Sequence, residues 1–122
     1  MKLDARTIQW ATRRKISSAT LREFSVGAET VSFGERKLPS VVFNYLDESG
    51  HVVNWKARAL AQKDFRQKPG GTQQFYNQAS VLAGPLEEVY ITEGEIDALS
   101  LVQAGIPVHS VLSVVGGAPA ST

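Results

Sequence analysis

The 122-residue sequence predicts an α+β fold, because the hydrophobic rhythm changes twice along the chain. Helical spacing fills the first 25 or so residues, a period of two runs from there to about residue 60, and a strand-helix-strand pattern occupies the last third. An N-terminal helical hairpin and an antiparallel sheet are therefore expected, followed by the start of a parallel α/β unit.

Each element has its own signal. Over residues 4–15, Ile8, Trp10 and Ala11 recur at near-helical spacing with no Gly or Pro between them. A second short helix follows over residues 20–24, with Ser18 as its expected N-cap and Gly27 as its expected left-handed terminator. Val31, Phe33, Val41, Phe43 and Tyr45 then alternate with other residues, which marks strands. Asp47-Glu48-Ser49-Gly50 is a turn, so segments 39–46 and 51–60 should form a hairpin. On its second strand Val53, Trp55 and Ala57 share one face, and Asn54, Lys56 and Arg58 share the other. A short strand is expected over residues 63–67, a break of turn formers at 68–72, and a linker or subdomain boundary near 79–86.

In the last third, Val89-Tyr90-Ile91 suits a buried strand. A helix over residues 95–103 carries the apolar stripe Ile96, Leu99 and Val102, ends at Gly105 and cannot continue past Pro107. Residues 108–115 supply a second, parallel strand before Gly116-Gly117. Two parallel strands bury too little to stand alone, so the sequence reads as a fragment whose α/β sheet is unfinished at Thr122.

Composition excludes several classes. There is no Cys, so there is no disulfide framework, Cys-ligated zinc or thiol nucleophile, and His51 and His109 form no metal-ligand spacing. No run approaches the roughly 20 apolar residues of a membrane span and no signal-peptide pattern opens the chain, so a cytoplasmic protein without membrane contact is expected. Charge is sharply divided. Residues 1–68 hold all 13 Lys and Arg against seven acids, a net of +6, whereas residues 69–122 hold only five acids. The basic part suits an anion such as nucleic acid, and acids free of basic neighbours suit a divalent cation.

The acids concentrate in Thr92-Glu93-Gly94-Glu95-Ile96-Asp97, at the carboxyl end of a predicted parallel strand, where ligands of open α/β sheets sit. Gly94 leaves the backbone beside Glu93 uncovered, and Asp97 lies one helical turn beyond it. Such oxygen ligands suit Mg²⁺. The plain alternative is that Glu93, Glu95 and Asp97 are acids favoured by the dipole of a helix's first turn. For Lys56 and Arg58 it is a solvated strand face whose charges discourage edge pairing.

The segment Ile91-Thr92-Glu93-Gly94-Glu95-Ile96-Asp97-Ala98-Leu99 resembles the signature strand and turn of the TOPRIM domain of primases, topoisomerases and some nucleases, whose catalytic Glu falls on Glu93. Further segments match in order and narrow the resemblance to phage-type primase-helicases, the group that includes Twinkle. These are Arg14-Lys15-Ile16-Ser17 through Leu21, Phe24 and Gly27, then Val42-Phe43-Asn44-Tyr45 with the 47–50 turn, Lys56-Ala57-Arg58, Lys63-Asp64-Phe65, and Ser110-Val111-Leu112-Ser113 with Gly116-Gly117-Ala118.

The resemblance implies a basic N-terminal subdomain of a primase core over residues 1–84 and the first half of a TOPRIM domain over 85–122. It implies RNA primer synthesis in replication, on a single-stranded DNA template from ribonucleoside triphosphates, in a bacterial or phage-infected host. Mg²⁺ or Mn²⁺ would be held by Glu93 and Asp97, with Glu93 as ligand or base. Lys56, Arg58 and Lys63 would hold nucleotide phosphates or template. The family's Asp-X-Asp pair, the Gly-X4-Gly-Lys-Ser/Thr helicase motif and the Cys-based zinc module do not occur in this sequence, so the fragment is expected to be inactive alone, with a helicase domain elsewhere in its parent chain. A non-catalytic single-strand-binding module, or a TOPRIM nuclease or topoisomerase fragment, is the alternative.

Overall fold

A computed structural model describes residues 3–114. It contains a four-stranded antiparallel sheet and a two-stranded parallel one, as the α+β expectation requires. Residues 116–118, which complete the second TOPRIM-like segment, lie outside the described residues.

Helix α1 (Ala5–Thr12) starts at Asp4, whose Oδ1 accepts the Thr7 backbone N–H at 2.8 Å, and it buries Thr7, Trp10 and Ala11 on one face. Helix α2 (Ser18–Glu23) is capped by Ser17, not Ser18, since the Ser17 hydroxyl accepts the Thr20 N–H. Gly27 does not end α2 either. Ser25 carries the left-handed conformation at φ 56°, with the Val26 N–H bonded to the Leu21 carbonyl at 2.9 Å, while Gly27 opens the first strand. Lys15, at φ 62°, plays the same part after α1. In both turns the next residue, Ile16 or Val26, is buried in the core, so packing sets the turn and a non-glycine residue accommodates it.

Strands β1 (Gly27–Phe33), β2 (Arg36–Leu46), β3 (Val52–Ala59) and β4 (Phe65–Gln67) pair in that order. The expected hairpin is present. Asp47 Oδ1 accepts the Ser49 and His51 N–H groups, each at 2.9 Å, and Gly50 supplies φ +85°. Its register sets Phe43 opposite Lys56 and Val41 opposite Arg58. The Lys56 face of β3 is thus the face that carries the core residues Val41, Phe43 and Tyr45, and Lys56 is 2% exposed. The solvated-face reading of this residue is incorrect, because the apolar set of β2 and the basic set of β3 have the same parity across the turn.

The region expected as a linker contains helix α3 (Gln78–Ala83). It follows Tyr76, whose backbone bridges to Ser113 and whose ring packs on Phe24, Phe43 and Tyr45 at 5.7, 6.0 and 5.1 Å. Strand β5 (Tyr90–Thr92), helix α4 (Glu95–Gln103), a 3₁₀ turn (Val108–Ser110) and strand β6 (Val111–Ser113) complete the order, with β5 and β6 parallel as expected. Strand β5 is not buried, however, since Tyr90 and Ile91 are both exposed. Helix α4 joins the main core through Ala98 and Leu99. At its C-terminal end Gln103 Oε1 accepts the Ser17 N–H and the Thr20 hydroxyl, both at 2.8 Å. Among the described residues no helix is long and apolar enough to cross a membrane.

Candidate nucleotide and nucleic-acid cleft

Between the basic face of β3 and the start of α4 lies a cleft of about 390 Å³. One wall holds Arg14, Lys56, Arg58 and Lys63, and the other holds Gly94, Glu95 and Asp97. Four of the five residues singled out from the sequence therefore meet here. Glu93 is the exception, being exposed and not part of the lining.

The basic wall is built in two layers. Arg14 and Arg58 share the Trp10 ring, at 4.1 and 5.4 Å from its centroid, and Arg14 also donates to the Trp10 carbonyl at 3.0 Å. Phe65 on β4 lies under both Lys56 Nζ and Arg58, at 5.0 and 5.9 Å. It is a platform for cations. Burial lowers the pKa of Arg58, and burial together with the nearby Arg58 charge lowers that of Arg14. Among the described residues neither Arg14, Arg58 nor Lys63 has an acidic partner, and Arg58 Nε is buried without an acceptor. An anion entering the cleft would relieve this repulsion and supply the missing acceptor.

Lys56 is arranged differently. Its Nζ lies 3.3 Å from Glu95 Oε1, with both side chains almost fully buried. The Tyr45 hydroxyl donates to the other carboxylate oxygen at 2.6 Å, and burial with the facing Glu95 charge pushes the Tyr45 phenol far up. Glu95 is thus no dipole-favoured surface acid. The sequence carried a signal for this, because Glu95, Ala98, Leu99 and Val102 stand at i, i+3, i+4 and i+7, the spacing of a buried stripe. Arg14 stands in the turn just past α1, and its guanidinium folds back over the Trp10 ring.

The acidic turn is sparer. Glu93 and Asp97 are exposed, and among the described residues no group of three or more His, Cys, Asp or Glu is placed to hold a metal ion. Two carboxylates remain compatible with Mg²⁺, which commonly takes one or two and completes its shell with water and substrate phosphate.

No protein-family model matches the chain, and no curated protein is similar to it in sequence. Solved structures are similar in fold. A DnaG catalytic core matches with a TM-score of 0.75 at 16% identity, covering 95% of this chain and 49% of that one. A DnaG primase catalytic domain bound to single-stranded DNA matches at 0.71 and 16% identity, over 92% and 47%. The primase fragment of the bacteriophage T7 primase-helicase matches at 0.68 and 25% identity, over 87% and 41%. The chain has the fold of a primase core, and it spans about half the length of the structures it matches. The resemblance to phage-type primase-helicases read from the sequence is borne out in the fold.

Proposed function

We propose that this chain is part of a phage-type DNA primase, in which the cleft between β3 and α4 receives the phosphates of a ribonucleoside triphosphate and the adjoining template strand. Residues 1–84 would be the basic part of the primase core and residues 85–122 the first half of its TOPRIM domain. The observation that carries the reading is that cations without acidic partners among the described residues, Arg14, Arg58 and Lys63, face the turn at the carboxyl end of a parallel strand, in a chain with a primase-core fold. That is where an open α/β sheet takes ligands.

In this reading Arg58 and Arg14 grip phosphate oxygens as forks, and Lys63 adds an exposed point charge. Glu93 and Asp97 would hold Mg²⁺ or Mn²⁺, which when bound would neutralise phosphate charge and lower the barrier to attack by a ribose 3′-hydroxyl on an α-phosphate, with pyrophosphate as the leaving group. Glu93 stands at the mouth of the turn as ligand or base. The product is an RNA primer for replication, made in the cytoplasm of a bacterial or phage-infected host. The parent protein would couple this activity to a helicase domain, and the present chain alone would bind without polymerising.

The test is two-part. Single-stranded DNA titrated into the chain should bind at low salt with a log-log salt slope that becomes shallower by about 0.7 on Arg58→Ala. Full-length protein should make primers, and Glu93→Gln should abolish them while the circular dichroism spectrum is unchanged. Binding that survives both Arg58→Ala and Lys63→Ala with the same slope would reject the cleft as the phosphate site. Primer synthesis retained in Glu93→Gln would reject the role of Glu93, and binding without any synthesis by the full-length protein would leave a single-strand-binding module.

A further inference from the structure

The nearly inaccessible Lys56 ammonium lines the cleft with its hydrogen-bonding capacity incompletely used. It has three N–H donors. Among the described residues its one hydrogen-bond acceptor is Glu95 Oε1, and the Phe65 ring face takes a second direction. No described residue accepts the third, although a buried ammonium ordinarily satisfies its donors. Glu95, by contrast, has both oxygens occupied, Oε1 by Lys56 and Oε2 by Tyr45 at 2.6 Å, and it is 3% exposed two residues from the exposed Glu93 and Asp97.

We propose that Glu95 is a positioning residue and not a metal ligand: clamped by Tyr45 on β2, it holds the Lys56 ammonium so that its remaining N–H points at a phosphate oxygen of a ligand in the cleft. The inference deepens the primase reading above and rests on it for the identity of the ligand. Its physical content is a division of labour among the three acids of the turn. Glu93 and Asp97 are free to meet a cation in water, whereas Glu95 is spent inside the protein on orienting a positive charge. A lysine stem has four rotatable bonds, and an exposed lysine would sweep a wide arc. The buried carboxylate and the Phe65 face restrict it to one direction, so the cost of ordering the side chain is met in folding and not in ligand binding. The pair also joins β3 to the first residue of α4, which fixes the spacing between the basic wall and the acidic turn.

The experiment uses the chain labelled with ¹⁵N-lysine. A buried, hydrogen-bonded ammonium exchanges slowly with water, so Lys56 should give a protected Nζ signal that exposed lysines lack. Inorganic tripolyphosphate, added with a chelator so that no divalent metal contributes, should shift that signal in the unaltered chain. Glu95→Gln should remove its protection, and Glu95→Asp should restore part of it. In full-length protein Glu95→Gln should lower kcat for primer synthesis by about 10–100-fold, the usual cost of losing a residue that orients a first contact, while the Mg²⁺ concentration for half-maximal rate stays unchanged. A Lys56 signal that ignores tripolyphosphate overturns the proposal without needing any variant, so it remains decidable if Glu95→Gln fails to fold. A raised Mg²⁺ requirement, with kcat recovered at saturating metal, overturns it by making Glu95 a ligand. If the signal shifts but the full-length protein makes no primers, the primase reading falls and the positioning role stands for another phosphate ligand.

Discussion

Replacing Lys56 by Met isolates the energetics of the pair that joins the two halves of the cleft. Met keeps most of the lysine stem's apolar contacts but removes the charge, leaving the 3%-exposed Glu95 carboxylate with Tyr45 as its one remaining hydrogen-bond partner among the described residues. Breaking a buried ion pair from one side costs about 3–5 kcal/mol, because the surviving ion is desolvated and unpaired. That is a large part of the roughly 5–15 kcal/mol expected for a domain of this size. In the double variant Lys56→Met/Glu95→Gln no charge is buried, and the amide oxygen can still accept from Tyr45. Its loss should be about 1–2 kcal/mol, so neutralising Glu95 in the Lys56→Met background should recover about 2–3 kcal/mol. Urea unfolding followed by fluorescence of Trp10, which is 1% exposed, measures both variants. The Arg36–Asp64 pair, with side chains 62% and 45% exposed, is the internal control, and Asp64→Asn should cost less than about 1 kcal/mol. If Lys56→Met cost no more than Asp64→Asn, or if the double variant were as unstable as Lys56→Met alone, the pair would not be a desolvated, mutually dependent unit and the reasoning would fail.

Two further perturbations test the scaffold. A Cβ added at Gly71 would come within 2.0 Å of Asn54 Oδ1, whose buried side chain is held by its Nδ2 donating to the Thr72 carbonyl at 3.0 Å; Gly71→Ala should cost about 1–3 kcal/mol in urea, and a neutral result would mean that this loop repacks freely. Hydrogen bonds from Thr7, the backbone N–H foremost, lower the pKa of Asp4, so the cap's contribution is complete above the unfolded value near 3.8 and is lost as pH falls through the lower folded value. Asp4→Ala should therefore cost about 0.5–1 kcal/mol at neutral pH, toward the low end because the carboxylate is solvent-screened, and the difference between variant and parent should shrink in acid; a difference that grew instead would reverse the sign of the linkage.

The sequence was most informative where a local rule had no competitor. The 47–50 turn bends the chain through its own side-chain and glycine chemistry, and the start of α4 at Glu95 follows directly from Gly94 and the stripe beyond it. Misreadings arose where tertiary packing chose among local options. Ser25 carries the left-handed turn that Gly27 was expected to carry, and Lys15 carries one after α1, because burying Val26 and Ile16 repays the strain at a non-glycine residue. Strand β5 has the β-branched and aromatic composition of a buried strand, yet Tyr90 and Ile91 are exposed. Composition records which residues suit a pleated surface, not whether anything covers it. Helix α3 escaped notice because six residues flanked by Gly84 and Pro85 carry too little periodicity to distinguish it from a loop, and its position is fixed by Asn77 donating to the Val108 and Val111 carbonyls.

The same distinction separates the three acids of the turn. A motif reading weights Glu93, Glu95 and Asp97 by spacing alone, and spacing leaves Glu95 as one acid among three. Two parities decide its place: the hairpin register that sets Lys56 opposite Phe43, and the helical stripe that sets Glu95 in line with Ala98 and Leu99. Each is visible in the sequence by itself, but they acquire chemical meaning only when the sheet and α4 are packed face to face. Then a buried cation and a buried anion must meet, since either one alone would be prohibitively placed. Opposite charges at core-facing positions of two separate elements are therefore a contact prediction as well as a site prediction. Here they locate the floor of the cleft, and Arg14 and Arg58 beside them, which have no acidic partner among the described residues, give it its sign.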